Sequence, residues 1–267
     1  MPTTNPVLCG SIAGTIGGLG VLMHNRAYRH DGIPCTYVSF QPRDAQSAVE
    51  AMRALGIRGL GVSMPYKVEI MEYLDRLDET AREIGAVNTI VNDGGILTGY
   101  NTDWAGAMGA LGEITEIRGK KAALLGAGGA ARAILYGLLR EGAQVELYNQ
   151  SEERGRALGS RFQVPYLGPP STFQGRYDII INATSVGYRT QDTLLTAPDF
   201  PAGAAVLDVV FQPLETVFLK EAVKAGCKVA PGWEMLILQA IAQDELYLNT
   251  RPSYAIMKEA LMEKFGK

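Results

Sequence analysis

The run Gly126-Ala127-Gly128-Gly129-Ala130-Ala131 constrains this chain more than any other stretch. It follows the apolar residues Ala122–Leu125, which read as a buried strand, and precedes Ala130–Glu141, which reads as an amphipathic helix. Gly126 permits a tight turn out of the strand, Gly128 lets backbone approach a pyrophosphate, and small Ala131 lets the helix settle against the strand. The start of that helix offers free N–H groups and a positive dipole end to phosphates. A strand that passes directly into a helix belongs to a βα series, hence to a parallel sheet with helices on its faces.

The rest of the chain fits that series. Strands are predicted at Gln144–Tyr148, Asp178–Asn182, Ala205–Asp208 and Lys228–Ala230, with helices at Glu152–Ser160 and Thr216–Ala225 between them. An earlier series reads as strand Thr36–Phe40, helix Asp44–Leu55, strand Gly59–Val62 and helix Val68–Leu77. It closes in a hairpin, Val87–Val91 and Ile96–Gly99, around Asn92-Asp93-Gly94-Gly95. A helix is expected from Trp104, and two final helices, Met235–Leu248 and Ser253–Phe265, have no following strand and are expected to pack back on the first series. The fold class is therefore α/β, with an N-terminal α/β substrate domain (1–103 and 239–267) and a Rossmann-type doubly wound dinucleotide-binding domain (104–238). A ligand cleft is expected at their boundary.

Composition narrows the partners. The chain has 267 residues, with 25 basic against 28 acidic, and no long block of either sign. Nothing in that balance favours nucleic acid or an anionic membrane. No apolar run is long enough to span a bilayer, and residues 1–6 lack the pattern of a signal peptide, so a cytoplasmic location is expected. Cys9, Cys35 and Cys227 are odd in number and widely spaced, which suggests neither a disulfide framework nor a zinc site. His24 and His30 lack a carboxylate at helical spacing, so no metal is expected. A small molecule is the expected partner, with a homodimer allowed.

Two side chains are candidates for proton transfer. Pro65 in Ser63-Met64-Pro65-Tyr66-Lys67 marks a helix start, which puts Lys67 in a first turn where the dipole disfavours a second positive charge. Asp103, at the domain junction, is either a helix cap or a functional acid. At the end of the second strand of the later series stands Asn149-Gln150-Ser151-Glu152-Glu153-Arg154, with no acid to hold a ribose 2′-hydroxyl. Arg154 favours a 2′-phosphate, whereas Glu152 and Glu153 oppose it, so NADP is expected ahead of NAD.

In order and spacing, Val62–Lys67, Gly85–Thr89, Asn101-Thr102-Asp103, Gly126–Ala130, Asn182-Ala183-Thr184-Ser185-Val186-Gly187 and Met235–Gln239 resemble the shikimate dehydrogenase family along nearly the whole chain. The resemblance implies reversible reduction of a ring ketone in a cyclic keto acid, 3-dehydroshikimate or a close relative, with hydride from a reduced nicotinamide. It implies that Lys67 and Asp103 form the acid/base pair and that Asn88, Gln239 and Ser63 line the substrate site. It further implies that Thr184, Ser185, Val209, Gly232 and Met235 lie along the cofactor.

The departures are specific. The Ser-x-Ser pair by which the family holds the substrate carboxylate is absent from the longer stretch Gly14–Asn25, where Thr15 and glycine N–H groups are the candidate replacements. Each lost charge-assisted hydrogen bond is worth roughly 1.5–3 kcal/mol. Gly61 replaces an Asn, Phe211 a Tyr, and Gln150 an Arg. Alternatives are thus a quinate or aminoshikimate dehydrogenase, or a catalytically silent nicotinamide-binding regulatory protein. Against the silent protein stands the retention of both Lys67 and Asp103.

Overall fold

The computed structural model describes residues 7–266 and divides into two compact units, Met1–Thr102 with Gln239–Lys267, and Asp103–Leu238. Residues 1–6, which bear on the signal-peptide reading, lie outside the described residues. In chain order the first unit contains β1 (Val7–Ile12), α1 (Leu19–Asp31), β2 (Cys35–Phe40), α2 (Ala45–Ala54), β3 (Gly59–Val62), β4 (Arg76–Leu77), α3 (Glu79–Ile84), β5 (Thr89–Asp93) and β6 (Ile96–Tyr100). The second contains α4 (Asp103–Gly112), β7 (Lys121–Leu125), α5 (Gly129–Arg140), β8 (Gln144–Tyr148), α6 (Glu152–Phe162), β9 (Tyr166–Gly168), β10 (Ile179–Asn182), β11 (Ala205–Asp208), α7 (Val217–Lys224) and β12 (Lys228–Pro231). Helix α8 (Gly232–Leu248) runs across the division at Leu238, and α9 (Tyr254–Lys264) returns the chain to the first unit, against α1.

The sheet of the second unit has the order β12-β11-β10-β7-β8-β9, every pairing parallel. Counted from β7 this is the 3-2-1-4-5-6 order of dinucleotide-binding sheets, with its reversal point between β7 and β10. Alternation along β7 separates the two faces: Ala122 and Leu124 pack with the α4 and α5 side chains Ala107, Leu111, Ile134 and Leu138. Ala123 and Leu125 pack instead with Phe218, Leu219 and Ala222 of α7.

The sheet of the first unit, β2-β1-β3-β5-β6-β4, has three parallel pairings, β1–β2, β1–β3 and β4–β6, and two antiparallel ones. Strands β1, β2 and β3 are parallel, whereas β5 pairs antiparallel with both β3 and β6. The β5–β6 turn uses Gly94 and Gly95, both at positive φ, and the Asn92 side chain accepts the Gly95 N–H at 2.8 Å. Helix α2 is capped by Asp44, which accepts the Ser47 N–H, and buries Ala48, Val49 and Met52 against Leu60 and Val62.

Two expectations need correction. The stretch Val68–Leu77 is not an α-helix: a five-residue 3-10 segment, Glu69–Tyr73, is followed by β4, and Pro65 and Lys67 precede it in a turn. Only Ile70 of the 3-10 segment is buried, so the segment offers no continuous apolar face of the kind an α-helix would bury. The helix-dipole argument for Lys67 therefore fails. In addition, the N-terminal stretch contains β1 and α1, neither legible as an amphipathic repeat: β1 is short, and the α1 face that packs inward carries His24 and Tyr28 beside Met23.

Those polar residues form a buried cluster. Tyr28 donates to Asp244, His24 Nδ1 lies 2.8 Å from the other Asp244 oxygen, and the His24 ring stacks on Tyr37 at 4.0 Å. Tyr247 covers β3 so closely that a Cβ on Gly59 would fall 2.1 Å from its ring. We expect Gly59→Ala to destabilise the protein by about 1–3 kcal/mol in urea unfolding. Gly112→Ala, at an exposed helix end with open space around it, should change stability by less than about 1 kcal/mol.

Candidate functional site

In the second unit the glycine corner sits at the sheet's reversal point. Gly126 has φ +122°, and a Cβ there would fall 2.8 Å from the Ala183 carbonyl of the neighbouring β10 loop, so the corner tolerates no side chain. Gly128 differs. It precedes α5 in extended conformation, and a Cβ there would meet nothing within 4 Å. Packing does not require that glycine, so what it keeps clear is space at a helix N-terminus, which fits the pyrophosphate of a dinucleotide. Ala131 is fully buried on the strand side.

The loop after β10 is fixed by one buried amide. Asn182 Oδ1 accepts from the Thr184 N–H and hydroxyl at 3.0 and 2.7 Å, while its Nδ2 donates to the Val186 carbonyl and to Asp208 at 3.2 and 2.9 Å. Asp208, fully buried at the end of β11, also accepts from Val210 N–H at 3.0 Å and Thr216 Oγ1 at 2.6 Å. Burial pushes its carboxyl up to about 6, against the three hydrogen bonds that lower it. Val209 donates its N–H to the Asn182 carbonyl, and Gly232 packs so tightly on Asp208 and Val209 that a Cβ would fall 2.6 Å from their backbone. Thr184 is half-buried, Ser185 exposed and Met235 buried. Sequence reasoning missed Asp208, whose only signal is an acid at a strand end.

Beyond β8, Asn149 donates to the Ser151 carbonyl at 2.8 Å, Ser151 caps α6, and Gln150 and Arg154 are exposed. A pocket of about 330 Å³ opens beside them, lined by Gln150, Glu152, Arg156, Tyr166 and the β9 residues that follow. Arg156, absent from the sequence-based set, pairs with Glu152 at 2.7 Å and thereby offsets one of the two acids that opposed a 2′-phosphate.

In the first unit the polar centre is Asn88, buried just before β5. Its Oδ1 accepts from Thr102 N–H at 2.7 Å and Thr89 Oγ1 at 2.6 Å. Its Nδ2 donates to Thr102 Oγ1 at 2.9 Å and Gln239 Oε1 at 3.3 Å. Thr102 Oγ1 donates in turn to the Gln239 carbonyl at 3.1 Å. Asn88 thus fixes which end of the Gln239 amide faces it, leaving the Nε2 donor turned elsewhere. Gln243, one helical turn on, donates to the Asn88 carbonyl at 3.0 Å and Thr89 Oγ1 at 3.1 Å. Lys67 is half-buried in the turn after β3, and its carbonyl accepts the Val87 N–H at 2.7 Å. Ser63 and Thr15 are exposed, and the Gly14 N–H ties their two loops by donating to the Met64 carbonyl at 2.9 Å. Asp103 is buried and is the first residue of α4 itself rather than the residue before it.

A glycine corner kept clear at the reversal point of a parallel sheet, on a chain that also carries an α/β unit with a polar amide centre, defines a two-unit dinucleotide-binding protein of the dehydrogenase type. Residues 18–90 match the shikimate dehydrogenase substrate binding domain. The chain is 38% identical over 259 residues to the shikimate dehydrogenase (NADP(+)) of Syntrophobacter fumaroxidans, covering 93% of this chain and 91% of that one. It is 39% identical over 256 residues to the shikimate dehydrogenase (NADP(+)) of Pyrococcus abyssi, with 93% and 94% covered. Among solved structures, shikimate 5-dehydrogenase from Thermus thermophilus in complex with NADP(H) and shikimate superposes with a TM-score of 0.90 at 30% identity, over 96% of this chain and 99% of that one. This chain belongs to the shikimate dehydrogenase family.

Two outcomes are expected of the second unit. Gly128→Val should weaken NADPH binding in a fluorescence titration while leaving the melting temperature nearly unchanged, because the side chain would obstruct only a ligand. Asp208, whose folded-state carboxyl titrates above its ordinary value of 3.8, stabilises the native state less as pH rises from about 4 through about 6. Unfolding free energies across that window should therefore fall for the wild type, by on the order of 3 kcal/mol, relative to Asp208→Asn.

Proposed function

We propose that this chain is an NADP-dependent dehydrogenase that interconverts the ring ketone and secondary alcohol of a small cyclic hydroxy acid, shikimate or a close relative. The observation that carries the reading is a cleared Gly128 corner in a chain that matches NADP-dependent shikimate dehydrogenases over 93% of its length. When bound, NADP supplies the hydride acceptor for oxidation of the alcohol. Gly126, Ala127, Gly128, Gly129 and Ala130 would take its pyrophosphate on the α5 N-terminus. Asn149, Gln150, Ser151 and Arg154, with Arg156 added, would meet the adenosine end. Thr184, Ser185, Val209, Gly232 and Met235 would line the nicotinamide end.

On the substrate side, Lys67 and Asp103 would together accept the hydroxyl proton during oxidation and return it to the ketone oxygen during reduction. Gln239, held by Asn88, would donate to an oxygen on the ring, and Ser63 and Thr15 would stand at the rim. The hydride step depends on alignment, so fixing the Gln239 amide before the substrate arrives lowers the ordering cost at the moment of reaction. A cytoplasmic location belongs to the same proposal, and the three free cysteines suit a reducing compartment. The partner is a small molecule, with a second copy of the chain allowed.

The test is oxidation of shikimate and quinate with NADP and NAD in turn, followed through the absorbance of the reduced nicotinamide. Turnover of shikimate with NADP is expected; NADPH binding without turnover of either acid would make the chain a silent binder. Lys67→Ala should lower kcat about 100-fold or more while the Kd for NADPH is unchanged. Near-normal turnover in that variant would remove Lys67 from the acid/base pair.

A further inference from the structure

Asp208 closes β11 as a fully buried residue, and three neutral groups bond its carboxylate: the Asn182 amide at 2.9 Å, the Val210 N–H at 3.0 Å and the Thr216 hydroxyl at 2.6 Å. These hydrogen bonds by themselves do not call for a carboxylate. Asparagine has the same shape: its Oδ1 can accept from Asn182 and Val210, and its Nδ2 can donate to Thr216 Oγ1. What the carboxylate adds is one negative charge, held where burial makes ionisation costly. Burial raises the carboxyl to about 6, so the charge is still present above neutral pH. A charge kept at a cost in stability points to function rather than packing.

The place of Asp208 in the sheet says which ligand would feel that charge. The strand order reverses between β7 and β10, and a dinucleotide lies across such a point with its adenosine half over β8. Its other half falls to the ends of β10 and β11. There Asn182 links Asp208 to the Thr184 loop, and Thr184 Cγ2 lies 3.2 Å from where a Gly126 Cβ would stand. Gly232, at the head of α8, approaches the Asp208 and Val209 carbonyls so closely that a Cβ would fall 2.6 Å from both oxygens.

The nicotinamide end is also where the cofactor changes charge. Transfer of hydride to the ketone carbon carries two electrons out of the ring and leaves it with one positive charge, while the ketone oxygen takes a proton from the acid/base pair. A fixed anion in a site of low dielectric stabilises the cationic ring more than the neutral one. We propose that the buried Asp208 carboxylate makes this site discriminate between the two redox states of the cofactor, favouring the oxidised, cationic nicotinamide over the reduced one. Asp208 acts through its field and not by contact with the reacting atoms. The inference rests on the dehydrogenase reading for the identity of the ligand.

The experiment measures Kd for NADP and for NADPH, by calorimetry and fluorescence titration at about pH 8.5, in the full-length wild type, Asp208→Asn and Thr216→Val. Asp208→Asn should raise the ratio of the NADP constant to the NADPH constant about fivefold. The fragment 2′,5′-ADP, which lacks the nicotinamide, should bind the wild type and Asp208→Asn alike. Thr216→Val removes a donor but keeps the charge, and it should hold the wild-type ratio within about twofold, whereas a purely structural role for the network would shift both variants together. If Asp208→Asn does not fold, Asp208→Ser, also uncharged, gives the same comparison. An unchanged ratio in the uncharged variant, or an equal change in Thr216→Val, overturns the proposal and leaves the dehydrogenase reading intact. A wild type that binds both cofactors but turns over neither shikimate nor quinate overturns the dehydrogenase reading alone, and the ratio then decides Asp208. A wild type that binds neither cofactor overturns both.

Discussion

Parallel strands cannot be joined by a tight turn, so each must be followed by a crossover that carries the chain back over a face of the sheet. That constraint gathers the loops after the strands along one edge, and both units of this chain use it. In the second unit the edge brings the β7 corner at Gly126 against the β10 loop at Ala183. In the first it brings Ser11, Ser39 and Gly61 into one row at the ends of β1, β2 and β3.

Each edge is stiffened by a buried amide rather than by apolar contact alone. Asn182 fixes the Thr184 loop to Asp208, and Asn88 fixes Thr102 and Gln239 to the start of β5. A buried amide left half-satisfied would cost stability, so these networks hold a loop in one arrangement or not at all. Around the Asn88 network, residues are matched in complementary sets. Gly59 accommodates Tyr247, Gly61 accommodates the Tyr37 hydroxyl and Gln243, and Asp244 accepts from Tyr28 and pairs with His24. The first unit thus carries a polar interior in which small backbone positions admit large polar side chains.

Most of the second unit was legible in the sequence because its strands are continuous apolar runs bounded by glycine or polar turns. Strands β8 and β11 fall where expected, residue for residue, and α5 and α7 differ by a residue at each end. The first unit was less legible. Its β1 and α1 carry Cys9, Ser11, His24 and Tyr28 at inward positions, which hides both the two-residue and the 3.6-residue period. The stretch after Pro65 failed for the opposite reason: its composition suits a helix, but β4 claims Arg76 and Leu77 for the sheet edge beside β6.

By itself the sequence determined the α/β class, the glycine corner and the family resemblance, because these depend on local spacing and residue type. It could not decide which side chains share a hydrogen bond. Ser11 and Ser39 are 28 residues apart, His24 and Asp244 are 220 apart, and Asn88 meets Gln239 across 151. Strand register and helix docking create those contacts, and both follow from the burial of the whole unit. Only the tertiary structure could therefore bring the serines into one row and set Gln239 beside Asn88.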